Sequence, residues 1–250
     1  MDMDLSHNTI LITGGATGIG LEFARNFVNR GNRVLICGRR KEKLLEAQAQ
    51  CPGVEYFVAD ISDSESRKRL VEWATGNGVN ILINNAGMQR EIDLRKGLEQ
   101  LEAGDNEIRI NFEGTVYLTA ALVPWLMQQK NPAIVNVSSA LGFIPIAIVP
   151  IYCATKAATH SFTISLRHQL RNSGVTVFEV IPPTVDTELD RGARAVRGQT
   201  ERGISAATVA EETMKGLGED RFEIPVGMAA NLVNASAEAA RAIFERMNAH

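Results

Sequence analysis

Tyr152 and Lys156 stand four positions apart in PIYCATKAATHSF (150–162), a helix-forming run in which residues i and i+4 share a face. Together they could do proton chemistry. A phenol with an ordinary pKa of about 10 is a poor base near neutral pH. An ammonium in contact favours the phenolate and lowers that value by roughly 1–3 units. The expectation is a Tyr152 that gives and takes a proton under the influence of Lys156. Alone, such a pair is more often a packed tyrosine with a solvated lysine one turn later, so its weight depends on what accompanies it.

A second group of residues could hold a phosphate. TILIT (9–13) runs directly into TGGATGIG (13–20). Gly14, Gly18 and Gly20 permit a tight turn and close backbone approach to a pyrophosphate, with the N–H groups and positive dipole end of the next helix facing it. A glycine-rich turn is weak evidence alone; its place between a first strand and a helix supports a dinucleotide. The spacing is G-x-x-x-G-x-G rather than G-x-G-x-x-G. About twenty residues on, an NAD site usually places an acid on the ribose 2′-OH. Here the chain reads CGRRK (37–41): Gly38 leaves that place empty, and Arg39 beside it suits a 2′-phosphate. Lys41 and Lys43 read as the basic start of a helix.

These groups need a scaffold that brings several strand ends to one edge. Short runs rich in Val and Ile recur at 9–13, 33–37, 54–59, 79–84, 133–137, 175–180 and 221–225. Segments of helical spacing lie between them, such as LEFARNFVNRG (21–31), which Gly31 would stop. Strands apolar throughout and separated by helices predict a parallel sheet covered on both faces. Right-handed crossovers then make it a doubly wound, Rossmann-type α/β fold of seven mostly parallel strands, with ligands at their carboxyl ends. A chain of 250 residues, 45% hydrophobic, can form one domain over 1–250. The polar, glycine-punctuated stretch 186–205 interrupts the alternation and reads as a flap over the site.

Composition excludes several partners. Lys plus Arg is 26 against 29 for Asp plus Glu, a net charge of −3, which gives no reason to expect nucleic acid or an anionic membrane. The acidic start MDMDLSHNTI lacks the positive n-region and long apolar stretch of a secretory signal, and no apolar run is long enough for a membrane span. The expected location is cytoplasmic. Cys37, Cys51 and Cys153 form no CxxC pair and suggest neither a disulfide framework nor zinc. His160 and His168 have no metal-ligand companions, so no metal is expected; Cys153, Trp73 and Trp125 read as packing residues.

In order along the chain, TGGATGIG (13–20), NNAG (84–87), Asn111 in RINFEG, the serines of IVNVSS and Tyr152-x-x-x-Lys156 resemble the short-chain dehydrogenase/reductase superfamily in its compact form, over residues 8 to about 190. Each motif is modest alone; five in order make the signal. The wording of ICGRRKEKLL and FEIPVGMAANL is weakly similar to oxidoreductases of D-alanylation operons.

The resemblance implies roles residue by residue. A nicotinamide carries hydride while the protein handles the proton. Tyr152 is the proton donor to a carbonyl oxygen or acceptor from an alcohol, and Lys156 lowers its pKa and holds the nicotinamide ribose. Ser139, thirteen residues before Tyr152, hydrogen-bonds the substrate oxygen, leaving Ser138 to strand packing. Asn111 holds a water that relays protons to the lysine. On the cofactor side stand Gly14, Thr17, Gly18, Ile19 and Gly20 at the phosphate turn, Arg39 at the 2′ position, and Asp60 and Ile61 at the adenine. Asn85, Ala86 and Gly87 line the adenosine, with Asn84 bracing the sheet. Pro182, Val185 and Thr187 approach the carboxamide end, and Tyr152 and Lys156 complete the set.

NADP(H) is favoured and NAD(H) stays open, because Thr17 stands where many NADP-using relatives carry a basic residue. Pro183 also departs from the family's usual Pro-Gly, removing an N–H and stiffening the turn. The substrate is a small-molecule carbonyl or alcohol, shaped by 88–96, 140–150 and 186–205; the flap arginines Arg191, Arg194, Arg197 and Arg202 read as solvated. A homodimer or homotetramer is implied through the Tyr152 helix and the helix before it, where small residues such as Ala157 and Ala158 allow close approach. The alternative is a catalytically silent NADP(H)-binding sensor, disfavoured by the intact Ser139, Tyr152 and Lys156.

Overall fold

The apolar runs assemble into a seven-stranded sheet, every pairing parallel. The structure is a computed structural model that describes residues 3–189, 192–196, 198 and 203–249. Its strands are β1 (Thr9–Thr13), β2 (Arg33–Gly38), β3 (Val54–Val58), β4 (Ile81–Asn84), β5 (Ala133–Val137), β6 (Thr176–Ile181), β7 (Val185–Asp186), β8 (Ile204–Ser205) and β9 (Glu223–Pro225). The helices are α1 (Gly18–Val28), α2 (Lys41–Gln50), α3 (Ser64–Gly76), α4 (Glu99–Glu102), α5 (Gly114–Leu126), α6 (Pro150–Leu170), α7 (Ala193–Val196), α8 (Ala206–Gly218), α9 (Ala229–Val233) and α10 (Ala237–Met247).

The sheet order is β3-β2-β1-β4-β5-β6-β9, so the winding direction reverses between β1 and β4, where such sheets leave a crevice at their carboxyl ends. Successive side chains of a strand alternate faces. Ile10 and Ile12 of β1 accordingly pack with Phe23 and Phe27 of α1, while Leu11 joins Leu70, Leu118 and Leu166 of α3, α5 and α6 on the other face. Both faces are apolar and covered, which is why β4 and β5 are buried along their whole length. This is the expected doubly wound α/β fold.

Some boundaries differ from expectation. α1 begins at Gly18, inside the glycine turn, and ends at Val28; Gly31, at φ 76, sits in the following turn rather than closing the helix. The stretch 186–205 has its ends tied together, since Asp186 pairs with Ser205 and Val185 with Ile204 in a short parallel ribbon. Gly203 lets the returning chain pass close, because a Cβ there would lie 2.2 Å from the Thr184 carbonyl oxygen. Much of the interior of this stretch, with Arg191, Arg197, Arg202 and the side chain of Arg194, lies outside the described residues. No helix among the described residues is long and apolar enough to cross a membrane.

Candidate active site

A cleft of about 780 Å³ opens at the carboxyl edge of the sheet, over the reversal point. Gly14, Thr17, Gly18 and Ile19 form one wall, Arg39, Asp60 and Ile61 one end, Asn85, Ala86 and Gly87 the floor, and Tyr152, Lys156, Pro182 and Thr187 the other end. The turn is built to be approached. Gly14 and Gly18 have φ of 64° and 56°, and a Cβ on Gly14 would come within 2.9 Å of Ala86 Cα. Gly20 sits behind the cleft surface: a Cβ there would fall 2.4 Å from the Gly14 carbonyl oxygen, so its role is to close the turn. The first turn of α1 has no side-chain cap and no acidic residue, leaving its N–H groups and dipole directed at the cleft. Asn85 Nδ2 donates to the carbonyls of Thr13 (3.0 Å) and Gly14 (3.2 Å), and Thr13 Oγ1 accepts from the N–H groups of Asn85 and Ala86. Asn85 thereby shapes the phosphate turn from the neighbouring strand. Asn84 braces the sheet as expected, donating to Asn136 Oδ1 and Thr119 Oγ1.

Four residues converge on the other end. Pro150 starts α6 in its first turn, a position that loses nothing by lacking an N–H, and the helix carries Tyr152 and Lys156 on its buried face. Lys156 Nζ donates to the Val137 carbonyl at 2.8 Å, at the end of β5, and lies 5.7 Å from the centroid of the Tyr152 ring. Ser139, just beyond β5, stands near enough to Tyr152 to favour its phenolate, and its Oγ accepts from Leu141 N at 3.2 Å. Asn111 lies in a π-helical turn (Arg109–Glu113) that leads into α5, a distortion frequent at functional sites. Its Oδ1 accepts from Met88 N, and its Nδ2 donates to Met88 O (2.8 Å) and Thr155 Oγ1 (3.1 Å). A Cβ on Gly87 would be 3.5 Å from Asn111 Oδ1 and 3.6 Å from Lys156 Nζ, so the three groups meet at one point. With both ends of its side chain engaged by the protein, Asn111 fixes the loop after β4 to α6.

The electrostatics correct one expectation. Burial pushes the Tyr152 phenol up to about 12, against the lowering influence of Ser139. Burial likewise pushes Lys156 down to about 8, opposed by attraction to Glu179. Lys156 donates to a β5 carbonyl, and burial of the phenol outweighs the lowering expected from the ammonium.

Two further expectations shift. The Val185 side chain packs into the core with Val180 and Val209, so any contact it makes with a bound molecule is through its backbone. Arg39 reaches the cleft, but its guanidinium is held bidentate by Asp105, Nη1–Oδ1 and Nη2–Oδ2 both 3.0 Å, with Asp60 at 3.8 Å. Arg40 and Lys43 also line that end, beyond the helix-start role expected of Lys43.

Several residues were missed in the sequence. Glu107, four before Asn111, is buried with Oε1 accepting from Arg90 N and Oε2 unpartnered, and its charge adds to the upward push on Tyr152. Glu179 is fully buried in β6. A charged residue inside the apolar run VFEVI was a readable signal, because a buried carboxylate requires partners. Those of Glu179 are Ser138, at a short contact, and His160 Nδ1 at 2.9 Å. Ser138 and His160 thus do more than pack.

A family model described as short chain dehydrogenase matches residues 8–198. The chain belongs to the short chain dehydrogenase family. An uncharacterized oxidoreductase of Bacillus subtilis, DltE, is 45% identical over 248 residues, 98% of each chain, in keeping with the similar wording at 36–45 and 222–232. An uncharacterized oxidoreductase of Staphylococcus saprophyticus is 32% identical over 77% of this chain and 86% of its own. Among solved structures, a short chain dehydrogenase of Burkholderia cenocepacia in complex with NADP is 26% identical at a TM-score of 0.81, covering 98% of this chain and 99% of that one. A family member from Burkholderia phymatum in complex with NAD superposes at 0.81 over 93% of both chains; at 22% identity it speaks for the fold alone.

Proposed function

We propose that this short chain dehydrogenase is an NADP(H)-preferring oxidoreductase that interconverts a carbonyl and a secondary alcohol, with Tyr152 as general acid/base. The observation that carries the reading is a cleft with Tyr152 and Lys156 at one end, Ser139 beside Tyr152 and Asn111 beside Lys156 at Gly87, and a glycine cradle at a helix N-terminus at the other. The fit is tested by the turn itself: side chains on Gly14 or Gly18 would meet Ala86 or Thr187, so the space is kept for something that approaches the backbone closely.

A nicotinamide dinucleotide bound there would supply the hydride. Gly14, Thr17, Gly18 and Ile19 hold its pyrophosphate, Asp60, Ile61, Asn85, Ala86 and Gly87 its adenosine half, and Pro182, Thr187 and the Val185 backbone its far end. Lys156 holds ribose hydroxyls. Tyr152 and Ser139 hydrogen-bond the substrate oxygen. A phenol pushed up to about 12 is protonated at neutral pH, which suits Tyr152 to give a proton to a carbonyl oxygen. The walls at 88–96 and 140–150 are linked by Ile92 N donating to Ile148 O at 3.0 Å, and Ala147 N donates to Asn248 Oδ1 just after α10.

The test is a titration with NADPH by fluorescence, followed by its oxidation over a panel of aldehydes and ketones. Binding plus turnover of at least one carbonyl class is expected. Tight binding with no turnover across the panel would favour a silent sensor, and absence of binding would overturn the reading.

A further inference from the structure

Beneath the carboxyl ends of β5 and β6 lies a polar cluster that the proposed chemistry leaves unused. Glu179 of β6 is fully buried, in register with Asn136 of β5 and Glu223 of β9. Its two oxygens are taken separately, Oε1 by the Ser138 hydroxyl and Oε2 by His160 Nδ1. Ser138 lines the cleft beside Val137, whose carbonyl holds Lys156. His160 is one helical turn after Lys156 on α6 and is packed by Phe143 at a ring distance of 4.4 Å. A buried carboxylate costs several kcal/mol unless paired, and fixing both its oxygens holds its charge in one place.

We propose that Glu179, clamped by Ser138 and His160, is a positioning residue that keeps the buried Lys156 in its ammonium form for the cofactor ribose and the Tyr152 proton. The inference rests on the role given to Lys156 above. The ionisable groups around Glu179 are few. From α6 come Lys156, His160 and Arg167, which donates to Val177 O and pairs with Glu223 of β9; β5 offers Asn136 and Ser138, neither ionisable. Lys156 is the cation whose charge burial most threatens, and attraction to Glu179 opposes that loss. Removing the carboxylate's charge therefore moves Lys156 toward the neutral amine, which neither holds ribose hydroxyls as a charged donor nor stabilises a phenolate.

The experiment titrates Lys156 in the whole protein by NMR with isotope-labelled lysine, its resonance identified from Lys156→Met, in the parent, Glu179→Gln, His160→Gln and Ser138→Ala. The parent midpoint is expected near 8. Glu179→Gln should lower it by about one unit, a tenfold loss of proton affinity. His160→Gln and Ser138→Ala, which keep the carboxylate but each free one of its oxygens, should lower it by less than Glu179→Gln. Should Glu179→Gln fail to fold, Ser138→Ala carries the test. An unchanged midpoint in the folded Glu179→Gln protein, or in Ser138→Ala if that alone folds, overturns the proposal. The midpoints are read without turnover, so they stand apart from the function proposed above. A lowered midpoint together with undiminished NADPH binding by Lys156→Met would support the charge-holding role of Glu179 while refuting the ribose role of Lys156.

Discussion

Arg39 illustrates how much one residue decides. Its fork is held by Asp105, but both partners are about a third exposed, and such an ion pair is worth at most about 1 kcal/mol. Two charge-assisted bonds to a 2′-phosphate are worth roughly 1.5–3 kcal/mol each, so a bound 2′-phosphate would displace Asp105. The expected outcome is a dissociation constant about tenfold or more lower for NADPH than for NADH. Asp105→Asn should widen that ratio up to about fivefold, the worth of the lost competitor, and Gly38→Asp with Arg39→Gln should reverse it. A parent protein that prefers NADH would reduce Arg39 to a helix-start charge. At this scale the sequence was legible where function depends on residue type, as at Tyr152, Lys156 and Ser139. Asp105, Glu107 and Glu179 were not found, because their partners come from distant segments and no spacing reveals them. The phenol's upward shift was missed for the same reason: burial is a property of the fold.

At the scale of elements, α6 forces a charged side chain into the protein interior. Below pH 8 the folded and unfolded chains both carry Lys156 as an ammonium, and folding bears the cost of burying it. Between pH 8 and the ordinary lysine value of 10.5, only the unfolded chain keeps the proton, so stability rises with pH across that window. The rise is on the order of 3 kcal/mol from this group. Tyr152 acts oppositely only above its ordinary value of 10.0, where the unfolded chain loses a proton that the folded chain keeps. Denaturant unfolding from pH 7 to 10 should show parent stability gaining on that of Lys156→Met. Parallel curves would mean that Lys156 is not titrating in this range. The strands and most helices were legible because both faces of a parallel sheet must be apolar. The β7–β8 ribbon was not, since two-residue strands carry no periodicity, and the start of α1 was hidden by the glycines that function requires there.

At the scale of the molecule, α5 and α6 each leave a stripe uncovered. Tyr117 on α5, Met127 just after it and Ile164 on α6 are 59%, 49% and 45% exposed, beside the small exposed residues Ala120, Ala121, Ala154 and Ala157. A large apolar face of this kind is what a second copy would cover. The expected state is a homodimer or homotetramer, and Ala157→Arg should dissociate it; a monomeric mass for the parent by light scattering at micromolar concentration would refute this.

The central claim is that Tyr152 moves the proton of a carbonyl reduction. The most direct test is Tyr152→Phe, measuring NADPH affinity and turnover of a carbonyl substrate on the same preparation. Affinity is expected to stay unchanged while kcat/KM falls by about 10²–10⁴-fold, the usual contribution of a positioned acid. Near-parental turnover in that variant would contradict it.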